Sequence, residues 1–447
     1  MLNVIIVGAG IAGLSAAIAL RRAGHNVQIY EKSSLNSETG AAIIIAPNSV
    51  RFLMAWGLDP VRWRWVLARR SDRLDPATLQ TVRQLSDEKS DTAMGGVPTW
   101  LSHRVDLHSA LKWMATRKDG PGKPVLIHTG SGVGCYNPSK PSIVLENGDE
   151  ICGDLVIAAD GIHSAGPEAI LGRKNTPVSA VRGNCCYRFL IPVERLEEDP
   201  DTRFFVGNHH GWTRILADKD RVRRLVTYPC RDNTVLNFVG VLDEEDEDVK
   251  QDHGAARREN WHEPIDIAQV LDKYAGFDPR LLKVMSKGTN VRKWPLLYRR
   301  PLPAWNKGCM TLAGDAAHPI LPHLGQGGAQ ALEDGLTLGI IFNGASSSPR
   351  DIQDRLALYF QARHKRASVV QIISNVGADQ PDLVADELLQ HMTPDEIPKD
   401  FASSMRFCLA YDLVQTTVDT MKEYDPLFEL AEGFFEQPVI DVPKALA

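Results

Sequence analysis

Val4-Ile-Ile-Val-Gly8-Ala-Gly10-Ile-Ala-Gly13 joins an apolar strand to a glycine turn and a helix, an order that few folds accept. Gly8 permits a tight turn after the strand, Gly10 lets the backbone approach a pyrophosphate, and Gly13 lets the helix pack closely on the sheet. Phosphate then sits at the helix N-terminus, where unpaired N–H groups and the helix dipole favour negative charge. Ser15–Ala23 has helix-forming composition, Gly24 stands at the C-cap position, and Val27–Tyr30 resume strand character. Glu31 closes the unit at the roughly 20-residue spacing of a carboxylate that hydrogen-bonds an adenosine ribose. With 35 glycines in 447 residues, roughly 0.2 matches to the three-glycine spacing arise by chance, so the surrounding strand, helix and acid carry the dinucleotide reading.

A chain of 447 residues exceeds what one hydrophobic core usually serves and predicts two or three packed regions. The net charge of −6, with no Lys/Arg tract, argues against a nucleic-acid partner. No apolar run approaches the roughly 18 residues of an integral membrane segment. Only three residues precede Val4, leaving no room for a signal peptide, so a cytoplasmic location is expected. Seven cysteines without a CxxC pair indicate neither a disulfide framework nor a zinc site, and no metal is expected.

Further along, Gly40–Asn48 reads as an apolar strand broken at Pro47, followed by an amphipathic segment, Ser49–Trp56. His103-Arg104-Val-Asp106 has the pattern of a helix start, with Arg104 just before the first turn, where a cation meets phosphate or ribose or else pairs with a surface acid. Val125–Val156 reads as short antiparallel strands, and the run to Asp160-Gly161-Ile-His-Ser164 is again strand then turn. A β-rich stretch follows, with strands expected at Cys185–Ile191, Arg203–Val206, Trp212–Leu216, Arg224–Tyr228 and Val235–Val241. The acidic run Asp243–Asp248 reads as a solvated loop. Cys309–Gly314 is a strand entering a second glycine–acid turn at Gly314-Asp315, and the loop Pro322–Gly328 leads into an apolar helix, Ala329–Phe342. A glycine-rich loop leaves its N–H groups free to face a ligand. Beyond about 345 the spacing of Phe360, His364, Ala367, Val370 and Ile373 is helical, and Pro381–Pro398 reads as a connection around a short helix.

These motifs, in this order, resemble the single-component, FAD-dependent aromatic hydroxylases of the salicylate-hydroxylase type, over nearly the whole chain. The resemblance rests on Gly8-Ala-Gly10-Ile-Ala-Gly13 with Glu31, on Asp160-Gly161-Ile-His-Ser164, and on Gly314-Asp315-Ala-Ala-His-Pro319 with the Pro322–Gly328 loop. It implies an α/β architecture: a Rossmann-like FAD-binding domain in two parts, 1–180 and 291–345, an inserted β-sheet substrate domain at 181–290, and a helical C-terminal region at 346–447.

It also implies roles. Gly8, Gly10 and Gly13 would take the FAD pyrophosphate, Glu31 with neighbouring Lys32 the adenosine side, and Arg104 the far side of the dinucleotide. Asp315 would hold the ribityl chain, and the amides of Gly325, Gly327 and Gly328 would face the pyrimidine edge of the isoalloxazine, where negative charge develops on reduction. Asp160 belongs to a motif the family uses for both FAD and the nicotinamide cofactor. Two positions depart from the pattern: Pro167 stands where an arginine is usual, and Ala42 stands where glycine is common near the flavin edge.

The implied reaction is an oxidation in which NADPH or NADH reduces FAD, O₂ forms a flavin hydroperoxide, and one oxygen passes to a phenolic or salicylate-like ring, with secondary metabolism as the expected setting. Arg188, on the first strand of the β-rich region, is the candidate to favour a phenolate; its alternative is a salt bridge tying that sheet to the FAD domain. Tyr228 is a candidate hydrogen-bond donor to substrate, or else a core tyrosine with a satisfied hydroxyl, and His318 and His323 either line the pocket or, the preferred reading, stabilise their turns. Alternatives are an epoxidase or indole oxygenase on the same scaffold, a dehydrogenase using NAD at the first motif, and a GDI-like binding protein. A monomer or homodimer is expected.

Overall fold

Strand Asn3–Val7 is buried on both faces at Val4–Val7, as a central strand of a parallel sheet must be. In this computed structural model, which describes residues 1–35, 41–181, 183–218, 223–243 and 264–443, it pairs in parallel with Asn26–Tyr30 on one side and Leu155–Ala158 on the other. Leu126–His128 and Met310–Leu312 extend the sheet in parallel, and Asn306–Lys307 adds an antiparallel edge, giving six strands. Leu126–His128 thus joins this sheet, while Val133–Asn137, Ser142–Leu145 and Glu150–Cys152 form the expected antiparallel set.

Helix Ile11–Arg22 packs along helix Gly327–Ile341 through small residues. A Cβ on Gly339 would stand 2.3 Å from the Cβ of Ala19, and one on Gly335 would stand 2.4 Å from the amide of Ala16. Gly328 lies opposite Ile11, so the two helices run parallel and their N-termini lie side by side. That places two positive dipole ends at one edge of the sheet.

The second sheet has seven strands, in spatial order Thr289–Pro295, Cys185–Pro192, Val235–Leu242, Arg224–Cys230, Trp212–Ala217, Arg70–Leu74 and Thr81–Asp87. It is therefore assembled from three stretches of chain, and residues 70–87 enter it from ahead of the boundary placed at 181. Arg203–Phe205 is a 3-10 turn and not the expected strand: Thr202 is buried with its hydroxyl on the Leu196 carbonyl, and Phe205 packs inward against Phe238. One face of the sheet buries Tyr187, Phe189, Leu225 and Phe238 against helices Ile267–Lys273 and Pro279–Met285. The other face packs on Ala42, Val66 and Leu101 at one end and on Leu321 at the other. Most of the acidic run, past Asp243, and Gly40 lie outside the described residues.

The C-terminal part is helical, with Pro349–Ile373, Phe401–Leu409 and Leu413–Tyr424. Its last segment returns to the first domain, where Glu436 pairs with Arg22 at 2.6 Å and with Arg117. Among the described residues no helix is long and apolar enough to cross a membrane.

Candidate active site

Gly8 has φ +95°, and a Cβ there would come within 2.6 Å of the Ala159 carbonyl, so only glycine lets the turns after the two parallel strands meet. A Cβ on Gly13 would strike the Gly8 carbonyl at 2.0 Å. At Gly10 the opposite holds: no atom lies within 4 Å of where a Cβ would be. Gly10 caps helix Ile11–Arg22 without a side-chain hydrogen bond, leaving the first-turn amides to a ligand. Glu31 is fixed by backbone donors, accepting from the amide of Ala9 at 2.8 Å and from that of Ser33 at 2.7 Å. Lys32 is exposed beside it, and its charge reaches Asp160.

Asp160 follows strand Leu155–Ala158, and its Oδ2 accepts a 2.7 Å hydrogen bond from the Tyr136 hydroxyl. Burial pushes its carboxyl up, with hydrogen bonds from Ser164 and Tyr136 opposing. Its Oδ1 is buried with no hydrogen-bond partner in the protein. Pro167, in the place of the usual arginine, is buried in the first turn of the short helix Gly166–Leu171.

Gly314 turns the chain at φ +61°, and Asp315 lies in a 3-10 turn. Asp315 is accessible to solvent although it lies deep among protein atoms, which marks the wall of an internal cleft and not the outer surface. Its carboxyl is pushed up by desolvation, while His318, Arg104 and Arg299 pull it down. Arg104 is exposed, is the first residue of helix Arg104–Thr116, and forms no ion pair among the described residues. That helix is capped by His103, whose Nδ1 accepts from the Val105 amide at 3.3 Å. Asp106 instead holds Arg231 in a bidentate pair, 3.0 Å on each arm. Gly325 has φ +64°, and Gln326 caps helix Gly327–Ile341 without a side-chain hydrogen bond. A Cβ on Gly328 would press within 2.6 Å of Ile43 Cδ1.

Residues two apart on a strand share a face, so Cys186, Arg188, Val226, Tyr228, Asn237, Val239 and Val241 all lie on the side of the seven-stranded sheet opposite its helices. At one end of this face Cys186 and Val241 pack on Leu321, which enters the Pro322–Gly328 loop. At the other end Tyr228 packs with Ala42 and Ile44. Between them Arg188, Val239 and Val226 form one cross-strand row. The guanidinium of Arg188 stacks over Trp294 at 5.3 Å and forms no salt bridge among the described residues, and its Nε has no partner. Tyr228 is buried, its phenol pushed up by desolvation, with Arg188 opposing; its hydroxyl makes no hydrogen bond among the described residues. Ala42 is buried and donates its amide to Asn237 Oδ1 at 3.2 Å, leaving the Asn237 Nδ2 without a partner. His318 is buried in its turn, and His323 packs near Gly183.

Two adjacent helix N-termini, a carboxylate held at the first glycine turn, and a second acid on a cleft wall define a dinucleotide-binding α/β protein. A family model described as FAD binding domain matches residues 3–81, and a second of the same description matches residues 142–371, just over half of the chain. The FAD-dependent monooxygenase cfoG of Aspergillus candidus is 45% identical over 97% of this chain and 98% of its own. The 3-hydroxybenzoate 6-hydroxylase 1 of Aquipseudomonas alcaligenes is 30% identical over 88% of this chain and 95% of its own. A solved complex of salicylate hydroxylase with substrate matches the fold with TM-score 0.71 at 21% identity, covering 93% of this chain and 97% of that one. The chain belongs to the FAD-dependent monooxygenases. FAD is its cofactor, and neither the NAD-dehydrogenase nor the GDI-like reading survives that membership. The open space at Gly10 and the orphaned Oδ1 of Asp160 fit such a group.

The residues that sequence reasoning missed are Tyr136, Asn237 and Asp334. Asn237 sits in an apolar strand and Tyr136 in an exposed hairpin, so neither carries a local pattern that marks it. Asp334 could have been found as half of an acid pair inside an otherwise apolar helix.

Proposed function

We propose that this monooxygenase hydroxylates an electron-rich aromatic ring, phenolic or salicylate-like, with NADPH or NADH as reductant and O₂ as oxidant. When bound, FAD would take two electrons from NAD(P)H and pass them to O₂, so that one oxygen atom enters the ring and the other leaves as water. In this reading the amides at Gly10–Gly13 hold pyrophosphate, Glu31 the adenosine ribose, Asp315 the ribityl chain, and the Gly325–Gly328 amides the pyrimidine edge.

The observation that carries the substrate class is Arg188: a cation without an acid partner among the described residues, on the sheet face between the flavin loop and Tyr228. A phenol with a pKa near 10 costs roughly 4 kcal/mol to ionise at pH 7, and a guanidinium beside its oxygen lowers that cost. Tyr228, with its hydroxyl unused, serves as a hydrogen-bond donor to the same substrate. The apolar neighbours Val226, Val239 and Trp294 suit the faces of an aromatic ring. The relative named for 3-hydroxybenzoate supports a phenolic substrate.

Oxygenation of an indole or alkene on the same scaffold is the second reading, and it leaves the cation without a use. Purified protein is screened with phenols, salicylates and indoles for stimulated NAD(P)H oxidation. Stimulation by phenols or salicylates is expected; stimulation by indoles alone contradicts the proposal.

A further inference from the structure

Helix Gly327–Ile341 carries two adjacent acids, Glu333 and Asp334, that are wholly buried. Arg363, on helix Pro349–Ile373, reaches both: Nη1 donates to Glu333 Oε2 at 2.5 Å, and Nε donates to Asp334 Oδ1 at 2.9 Å. Arg366 donates to both oxygens of Glu333, at 2.8 and 2.7 Å. Two acids and two arginines balance in charge, which is what lets four ionised groups remain in an interior.

The two acids differ in what their remaining contacts do. Glu333 also accepts from Asn48 at 2.6 Å and so closes the network on itself and on helix Pro47–Ala55. Asp334 turns its Oδ2 toward the second glycine–acid turn, accepting the Gly314 amide at 2.7 Å and lying 2.6 Å from Nε2 of His318. Those contacts grip the chain on either side of Asp315. Burial pushes the Asp334 carboxyl up, but His318 and Arg363 outweigh it and hold it ionised below the usual range.

We propose that Asp334 is a positioning residue for FAD: it clamps the turn from Gly314 to His318 so that the Asp315 carboxylate stays on the cleft wall, and Arg363 ties that clamp to the C-terminal helix. Asp334 touches no ligand in this account. It acts through Asp315, and the inference therefore rests on the assignment of Asp315 to FAD. An amide in its place can still accept from Gly314, but its NH₂ then faces the Nε–H of Arg363, donor against donor.

Apoprotein of the full chain is titrated with FAD by flavin-fluorescence quenching, for the parent, Asp334→Asn, Asp315→Asn and the double variant. Each single change is expected to raise Kd at least about tenfold, and the double variant to lie within about threefold of the weaker single, because both act on one contact. A folded Asp334→Asn apoprotein with parental affinity overturns the inference, and so do losses that multiply in the double variant. Parental affinity in Asp315→Asn alone removes the Asp315 assignment instead. If circular dichroism shows that Asp334→Asn does not fold, His318→Gln takes its place in the same cycle, and the same outcomes decide.

Discussion

The backbone amide of Ala9 donates a 2.8 Å hydrogen bond to Oε2 of Glu31, so the acid ending the second strand is anchored to the glycine turn that follows the first. One carboxylate thereby orders the loop, and in the proposed function it also faces the adenosine side of the dinucleotide.

Replacing Glu31 by alanine is expected to raise the Kd for FAD at least tenfold, about 1.4 kcal/mol, and to affect FMN much less. FMN lacks the adenosine half that Glu31 is proposed to hold. Quenching titrations of apoprotein with each flavin check this, and equal losses for both contradict it.

Arg188→Ala is expected to keep FAD content while lowering hydroxylation at least tenfold, about 1.4 kcal/mol of transition-state stabilisation. Lysine restores part of the rate, since it keeps the charge but lacks the planar fork. Flavin reduction and oxygen transfer are measured separately by stopped flow. A folded, FAD-loaded alanine variant with the parental rate returns Arg188 to a packing role over Trp294.

The nucleotide-binding half of this fold was legible because two glycines of its first turn, Gly8 and Gly13, answer a steric demand that no other residue meets, while Gly10 leaves open space. The far strands of the second sheet were not. Arg70–Leu74 is polar up to Leu74 and buries Asp72, and Thr81–Asp87 is polar and exposed in its first half, so neither carries the apolar alternation that marks a half-buried strand. Arg203–Val206 failed in the other direction: two adjacent phenylalanines mimic a strand, yet Phe204 is exposed and only Phe205 packs inward. Glu333 and Asp334 stand out as an acid pair in an apolar helix, but their partners Arg363 and Arg366 lie on a distant helix, and only the packing of the two makes a buried network.

The bidentate pair between Asp106 and Arg231 joins the helix that presents Arg104 to a turn of the second sheet. Both side chains are partly exposed, so screening limits the pair to roughly 1 kcal/mol or less. Arg231→Ala is expected to lower Tm by a degree or two at low salt, with the difference shrinking at high salt. A difference independent of salt contradicts an ionic contribution.

His25 accepts the Leu2 amide at Nδ1, 3.1 Å away, and its Nε2 lies 2.8 Å from the Phe342 carbonyl, an arrangement that suits the neutral ring. Burial lowers its pKa, against the hydrogen bond it donates to the Phe342 carbonyl, and burial likewise lowers those of His364 and His391. The unfolded chain therefore binds more protons, so the stability these groups contribute is complete above about pH 6.5 and is lost as pH falls through their folded values. The urea midpoint is expected to drop between about pH 7.5 and about pH 5.5, and His25→Gln to flatten that slope. A midpoint that rises on acidification contradicts the assignment.

The central claim is that the chain inserts one atom of O₂ into an aromatic substrate, and the origin of that atom can be weighed. Turnover under ¹⁸O₂ with NAD(P)H and a phenol that stimulates its oxidation is followed by mass spectrometry of the product. The account predicts a product heavier by one labelled oxygen, and no label when only the water carries ¹⁸O. Label from water, or a product with no added oxygen, contradicts it.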